Sequence, residues 1–228
     1  MKIINLSKSE KIIHYLKEFH LTEEGMLPIF DIENDADVKE SINNNEKTVI
    51  IGDNHLNSIK TINEFSQLFK NPGLIVFDAH PDCENERDIL PSLIKNKTIK
   101  KENIILIGLR SWKKEECAYI QQNKIKFFDM GKIVEYGKED SIETVMETAS
   151  TFDALYISID LDVLDPAFAP AVSCKEPGGL TSRELLFFLH KLKRLKNLKA
   201  IDIMEFDESK DINGMTAKLA AKILAELA

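Results

Sequence analysis

Aspartate and histidine alternate directly after an apolar segment of this chain. Residues 74–77 are Leu-Ile-Val-Phe, and Asp78, His80 and Asp82 follow at every second position. Because alternate residues of an extended chain point to the same side, these three side chains are predicted to converge on one site. Carboxylate and imidazole groups that converge in this way are suited to binding a divalent metal ion.

A second pair of carboxylates follows another apolar segment. Residues 154–159 lead into Asp160 and Asp162, which again share one face of an extended chain. Burying two carboxylates this close together is expensive unless a cation offsets their repulsion and desolvation. Asp165, which precedes Pro166, is predicted to shape a turn instead.

The third contribution comes after residues 48–51. His55 is the natural imidazole ligand of this group, whereas Asp53 and Asn54 are interpreted as turn residues or as supporting groups, with Asn54 a candidate to orient His55. Each motif alone has an ordinary structural explanation, such as a helix cap or a buried histidine. Three such motifs, each at the end of an apolar segment, favour a metal site.

Together these motifs supply more ligands than one catalytic zinc ion uses, so two ions are implied. The six predicted metal ligands are His55, Asp78, His80, Asp82, Asp160 and Asp162. Four hard oxygen donors with two imidazoles suit Mn²⁺, and Zn²⁺, Fe²⁺, Co²⁺ and Ni²⁺ remain compatible with the same ligand types.

Apolar segments alternate with amphipathic ones along the chain. Strands are predicted at residues 48–51, 74–77, 103–107, 125–128, 154–159 and 198–203, with weaker candidates at 2–6 and 28–32. Helices are predicted at residues 8–19, 58–70, 113–122, 140–149, 182–195 and 215–228. Strands that are apolar on both faces are typical of a parallel sheet with helices on both sides. We therefore predict one α/β domain over residues 1–228, with a doubly wound sheet whose ligands gather at the carboxyl ends of the strands.

The composition argues against several classes of function. The formal charge of −8 and a pI near 5.3 do not fit a protein that binds nucleic acid through clustered Lys and Arg. No apolar run approaches the length of a membrane-spanning helix, and the first residues do not form a secretion signal. The three cysteines are far apart and favour neither a disulfide framework nor a cysteine metal site. A cytoplasmic protein without nucleic-acid or membrane partners is expected.

The motifs, in their order along the chain, resemble those of the arginase/agmatinase/formimidoylglutamase family of ureohydrolases. They are GDNH (52–55), DAHPD (78–82), SIDLDVLDP (158–166), EPGG (176–179) and IDIMEFDESKD (201–211). The resemblance implies a three-layer α/β/α fold with a mainly parallel sheet, two Mn²⁺ ions and a hydroxide that attacks a guanidinium or amidine carbon. It also implies a homo-oligomer, because relatives commonly form trimers or hexamers.

Carried over position by position, the resemblance makes the six residues named above metal ligands and gives Glu205 the role of receiving the cationic guanidinium. Asp162 is assigned a second, catalytic role as a hypothesis, in which it stabilises the tetrahedral intermediate through the protonated amino group. An Asp162→Asn variant that kept both metals and full turnover would contradict that role.

The sequence departs from the family pattern after its DAHPD motif. No histidine occurs between His80 and His190, whereas arginases and agmatinases carry one there that is thought to shuttle protons. Segment 83–91 is short and acidic, and Glu84 or Glu86 is a candidate to take over this role. These carboxylates favour a small cationic guanidino or amidine substrate. Agmatine or a related amine is placed ahead of arginine, since no residue obviously recognises an α-carboxylate.

Two other functions stay open from the residues alone. The same metal pair could hydrolyse another C–N bond, such as that of a linear amidine or formimidoyl substrate, or the chain could be a metal-binding homologue without catalysis. Two further features are given structural interpretations: Arg110 is assigned to packing or subunit contacts, and Gly178 and Gly179 to a tight loop near the metals.

Overall fold

Eight parallel strands pair side by side in the computed structural model, which describes residues 1–27, 29–34, 36–43 and 47–227. The strands, in chain order, are β1 (Lys2–Asn5), β2 (Leu21–Thr22), β3 (Gly25–Met26), β4 (Asp31–Asn34), β5 (Thr48–Ile51), β6 (Pro72–Phe77), β7 (Ile104–Leu109), β8 (Lys126–Asp129), β9 (Ala154–Asp160) and β10 (Leu198–Met204). The main sheet has the order β4-β1-β5-β10-β9-β6-β7-β8, and β2 and β3 form a separate antiparallel hairpin.

Helices follow most of these strands. They are α1 (Lys11–Leu16), α2 (Val38–Asn43), α3 (Ser58–Ser66), α4 (Ile89–Lys95), α5 (Lys114–Asn123), α6 (Met130–Tyr136), α7 (Lys138–Ala149), α8 (Ser182–Leu192) and α9 (Met215–Leu227). In the part of the chain that the structure describes, no helix is both long and apolar enough to cross a membrane.

The sheet is buried between two apolar cores. Alternate residues of β9, such as Ile157 and Tyr156, enter opposite cores because successive side chains of a strand point to opposite faces. Helices α1, α7, α8 and α9 pack in one core, and α2, α3, α4 and α5 pack in the other. The predicted three-layer α/β/α architecture is confirmed.

The predicted elements are present with shifted ends. The first helix begins at Lys11 and not at residue 8, because Ser7 and Lys8 donate hydrogen bonds to the Asp53 carboxylate and are held in a turn. The weak strand predicted at residues 28–32 starts at Asp31, and its Pro28 lies outside the described residues, as does Ala228 of the last predicted helix.

Three short helices and the β2–β3 hairpin were not predicted. Helix α4 begins at the end of the acidic segment after the DAHPD motif, and its Leu90 and Leu93 are buried against the sheet. It spans only 7 residues, which is too short for the helical period to stand out in the sequence. Pro91 is tolerated there because the first turn of a helix does not need its backbone N–H.

Gly108 lets β7 pass close to the loop after β9. Its φ is +99°, and a Cβ at this position would lie 2.4 Å from Val163 Cγ2.

We expect Gly108→Ala to lower the free energy of unfolding by about 2–4 kcal/mol, since it combines an unfavourable φ with overpacking. Urea unfolding would measure the loss. Gly137→Ala is a matched control, because Gly137 also has a positive φ but its Cβ would meet no atom closer than 3.8 Å; equal losses in the two variants would contradict the packing argument.

Candidate metal centre

The predicted site residues meet at the carboxyl ends of four neighbouring strands. His55 begins a short 3₁₀ helix after β5, and Asp78 directly follows β6. Asp160 is the last residue of β9, and Glu205 directly follows β10. The order β5-β10-β9-β6 brings these strand ends together, although they are far apart in the sequence.

Three carboxylates surround one nitrogen of His55. Its Nδ1 lies 2.9 Å from Asp78 Oδ2, 3.1 Å from Asp82 Oδ2 and 3.2 Å from Asp160 Oδ2. A neutral imidazole nitrogen cannot donate three hydrogen bonds. Despite these short distances, no hydrogen bond of good geometry reaches His55 Nδ1 or Asp78 Oδ2 from the residues that the structure describes. Both atoms are buried, so a cation bound between them would satisfy groups that the protein leaves unpaired.

The second histidine faces the other side of the same cluster. His80 Nδ1 lies 2.9 Å from Asp162 Oδ2 and 3.6 Å from Asp78 Oδ1. Asp162 Oδ1 accepts a hydrogen bond from the backbone N–H of Ala79. Two sets of residues can each hold a metal ion, namely His55 with Asp78 and Asp82, and Asp78 with His80 and Asp162. The two sets share Asp78, so two cations held by them would lie next to each other.

The route by which Asp78, His80 and Asp82 converge differs from the predicted one. The chain bends after Asp78, and Asp82 has a left-handed φ of 47°, so strand alternation does not place these residues. Asp162 likewise lies in a 3₁₀ helix and not in extended chain. Glu205 also has a positive φ, of 67°. Non-glycine residues adopt this conformation at a cost, and such strain is concentrated at functional sites.

The electrostatics of the cluster show an excess of negative charge. Burial and repulsion from Asp162 and Asp82 raise the pKa of Asp78 to about 7. Burial and the carboxylates of Asp162 and Asp78 also raise the pKa of Asp160 well above its ordinary value. Hydrogen bonds to Asp162 and Asp78 raise the pKa of His80 to about 11. The carboxylates therefore need positive charge beside them, which divalent cations supply.

A chain of buried polar groups orients His55. Its Nε2 lies 3.0 Å from Ser158 Oγ, and Ser158 donates to Asp202 Oδ1 at 2.6 Å. The single hydroxyl hydrogen of Ser158 is used by Asp202, so Ser158 can only accept from the Nε2–H of His55. In neutral His55 the lone pair is then on Nδ1, which faces the carboxylates and is available to a metal ion.

This series of hydrogen-bonded side chains continues to helix α3. Tyr156 donates a hydrogen bond to Asp202 Oδ2 at 2.8 Å, and Thr61 Oγ1 lies 2.8 Å from the Tyr156 hydroxyl. These residues were not predicted from the sequence to be functional. An aspartate, Asp202, within the apolar strand predicted at 198–203 could have indicated a buried polar group. Its partner Ser158 is known only from the pairing of β10 with β9.

We expect Ser158→Ala to weaken Mn²⁺ binding by about 10- to 100-fold, because it removes the acceptor that fixes the His55 tautomer. Calorimetric titration with Mn²⁺ would measure the dissociation constants. Thr61→Val is the matched control: it changes the far end of the same hydrogen-bonded chain and should have a much smaller effect. Unchanged Mn²⁺ affinity in Ser158→Ala would contradict the proposed role of these hydrogen-bonded side chains.

Asn54 does not orient the His55 ring as predicted. Its Oδ1 accepts from the backbone N–H of Leu56 at 2.8 Å and caps the 3₁₀ helix that begins at His55. Asn54 therefore fixes the backbone of this turn, and Ser158 contacts the ring. Asp165 shapes a turn, as predicted, by accepting from the backbone N–H groups of Ala167 and Gly178.

Arg110 holds two loops of the site together. Its guanidinium donates to the backbone carbonyls of Asp162 and Glu176, each at 2.7 Å. Gly179 lies under this guanidinium, and a Cβ there would be 2.6 Å from Arg110 Nη2. The Glu176 carboxylate lies 3.6 Å from His80 Nε2, on the side of the ring away from the cluster. The packing interpretation of Arg110 thus agrees with these contacts, as does the tight loop assigned to Gly179.

The cluster opens into a pocket of about 610 Å³ that Glu205 also lines. Glu205 Oε1 accepts from the backbone N–H of His55 at 2.9 Å. Glu84 lines the pocket and pairs with Lys113 at 2.6 Å. Glu86 pairs with Lys95 at the same distance, and neither of these two residues is among those that line the pocket.

Comparison with known proteins shows the family of this chain. A sequence model of the arginase family matches residues 15–228. The chain is 28% identical to an arginase of Staphylococcus aureus (strain COL) over 237 residues, which cover 92% of this chain and 78% of that protein. It is 30% identical to a formimidoylglutamase of Bacillus subtilis (strain 168) over 186 residues, covering 77% of this chain and 58% of that protein.

Solved structures show the same fold. The arginase from Bacillus cereus has a TM-score of 0.85 at 22% identity, and the alignment covers 99% of this chain and 97% of that one. The formimidoylglutamase from Bacillus subtilis subsp. subtilis str. 168 has a TM-score of 0.87 at 22% identity, with 99% and 84% covered. Because the family match extends over nearly the whole sequence, this chain belongs to the arginase family.

Proposed function

We propose that this arginase-family chain is a binuclear metal-dependent hydrolase that cleaves a guanidino C–N bond and releases urea. The observation that carries the proposal is the pair of metal-binding sets that share Asp78, at the floor of a pocket that Glu205 also lines. A cationic group can bind Glu205 in this pocket while its carbon faces the metal centre.

The distances support the following division of the proposed ligands. His55, Asp82 and Asp160 would hold one cation, His80 and Asp162 the other, with Asp78 between them. The carboxylate-rich set favours Mn²⁺ as the metal. When bound, two such cations lower the pKa of a water molecule and thus supply hydroxide at neutral pH.

Glu205 would bind and orient the substrate. Its Oε1 is fixed by the backbone N–H of His55, which leaves Oε2 for a guanidinium N–H. Asp162 is buried and would accept a hydrogen bond from the leaving amino group as that group gains a proton. For proton transfer to solvent, Glu84 is preferred to Glu86, because only Glu84 lines the pocket.

A formimidoyl compound is the second candidate substrate. It is supported by the 30% identity, over 77% of this chain, to a protein named formimidoylglutamase. We also propose, from the family resemblance, that the chain acts as a trimer or hexamer; light scattering would test this.

A cytoplasmic location is proposed from the three cysteines, all of which are unpaired.

The test is a hydrolysis assay on the Mn²⁺-loaded protein. Urea release would be measured from agmatine, arginine and 4-guanidinobutyrate, and formamide release from formimidoylglutamate, with Asp160→Asn as the inactive control. Urea release that the control abolishes supports the proposal. Formamide release alone supports the second candidate, and two bound metals without any turnover would point to a metal-binding homologue without catalysis.

A further inference from the structure

The pocket above the metal centre differs in charge at its two ends. Its floor consists of the cluster and Glu205, which together suit a cationic guanidinium. At the other, exposed end lies Lys113, whose side chain is 61% exposed, and among the described residues that line the pocket it is the one lysine or arginine. A substrate that reaches from the floor to this end therefore meets a positive side chain.

The backbone of Lys113 is held close to the metal-binding loop. The Glu116 carboxylate accepts from the backbone N–H of Lys113 at 2.9 Å and from that of Cys83 at 3.4 Å. Cys83 directly follows the proposed ligand Asp82. The backbone N–H of Ser111 donates to the carbonyl of Ala79 in the same loop. These contacts fix the start of α5 relative to the cluster, so the position of Lys113 is part of the fold.

The side chain of Lys113 remains available to a ligand. It pairs with Glu84 at 2.6 Å, but the two side chains are 61% and 48% exposed. Ion pairs between such hydrated groups contribute little to stability, so a substrate carboxylate can take the place of Glu84 at small cost.

The acidic segment offers less free negative charge than its sequence indicates. Glu84 is paired with Lys113, and Glu86 with Lys95. Asp88 also lines the pocket, and its Oδ2 accepts a hydrogen bond from the backbone N–H of Asn85. The ground for ranking amine substrates first, which was the absence of a residue that recognises a carboxylate, is therefore removed by Lys113.

We infer that Lys113 is a specificity-determining residue that selects guanidino substrates with a carboxylate at the end opposite the guanidinium. The inference rests on the proposed function. It predicts that 4-guanidinobutyrate is preferred to agmatine, which has a similar length but ends in an ammonium group. Lys113 would bind the carboxylate as a point charge at the rim, while Glu205 binds the guanidinium at the floor.

The test compares these two compounds on the Mn²⁺-loaded protein. We would measure the ratio of kcat/KM for 4-guanidinobutyrate over agmatine, and the ratio of their affinities by calorimetry. Lys113→Met should lower both ratios about fivefold, as expected for one exposed ion pair, and Lys113→Glu about 25-fold. Each ratio is taken within one variant, so changes in folding or metal loading cancel. Lys95→Met is the matched control, since Lys95 pairs with Glu86 outside the pocket lining, and it should leave both ratios unchanged.

The outcomes separate this inference from the proposed function. The inference would be overturned if the ratios in Lys113→Glu stay within twofold of those in the parent protein. If the protein hydrolyses either compound, the function is left intact. Affinity ratios that shift as expected would support Lys113 even without hydrolysis by the parent protein, and the function would be overturned if arginine is not hydrolysed either. If the parent protein binds neither compound, the inference is overturned, and the function is then decided by the assay with arginine.

Discussion

Asp160→Asn should abolish turnover and lower the affinity for Mn²⁺ by more than about 100-fold, since even residues that only support metal ligands typically contribute 10- to 100-fold. Asp160 Oδ2 lies 3.2 Å from His55 Nδ1, and its Oδ1 accepts from the backbone N–H of Asp162 at 2.8 Å. Asparagine keeps an oxygen for that backbone hydrogen bond and removes the charge. Bound Mn²⁺ after gel filtration and urea release would be measured together.

The same variant carries a second signature in its stability. Burial and the carboxylates of Asp162 and Asp78 raise the pKa of Asp160, which means that its charged form opposes folding at neutral pH in the metal-free protein. Asp160→Asn without metal should therefore be at least as stable as the metal-free parent, but it should gain little when Mn²⁺ is added. Thermal unfolding with and without Mn²⁺ would show this. Asp165→Asn is the control, because Asp165 accepts from backbone groups of its own turn. A metal-free Asp160→Asn that is clearly less stable than the parent would contradict the electrostatic account.

Glu205→Gln should lower kcat/KM by about 10²- to 10³-fold while the protein keeps both metals, as expected when one partner of a hydrogen-bonded charge pair is removed. The glutamine oxygen can still accept from the backbone N–H of His55, so the local structure should hold. What is lost is the negative charge that binds and orients the guanidinium.

The Glu205 prediction is checked by steady-state kinetics together with metal content. Glu208→Gln is a matched control, because Glu208 lies in the 3₁₀ helix just after Glu205 and is not among the residues that line the main pocket. Full activity in Glu205→Gln would exclude the substrate-binding role. Loss of the metals in that variant would instead make Glu205 part of the metal centre.

The Asp160 and Glu205 variants separate metal binding from substrate binding, since the two residues lie at the ends of different strands. The six predicted metal ligands lie in one cluster, but the sequence did not show how they divide. His55 and Asp82 face one side of Asp78, and His80 and Asp162 face the other. Asp82 has a left-handed φ, and no local pattern of residue types signals it.

The sequence by itself determined the types and local order of the functional groups. Strand alternation and apolar segments are short-range properties, so the eight strands of the main sheet and the acidic and imidazole groups that follow them could be located before any tertiary contact was known. The capping box of Thr181 and Glu184, which starts α8, is equally local.

Only the tertiary structure decided which groups meet. The sheet order places β10 between β5 and β9, and thereby brings Glu205 to His55 and Asp202 to Ser158, across 150 and 44 positions of sequence. It also pairs Glu84 with Lys113, which changes the charge that a substrate meets at the rim. Such contacts depend on packing between distant segments, whose free energy is spread over the whole core and is not encoded in any one stretch of the chain.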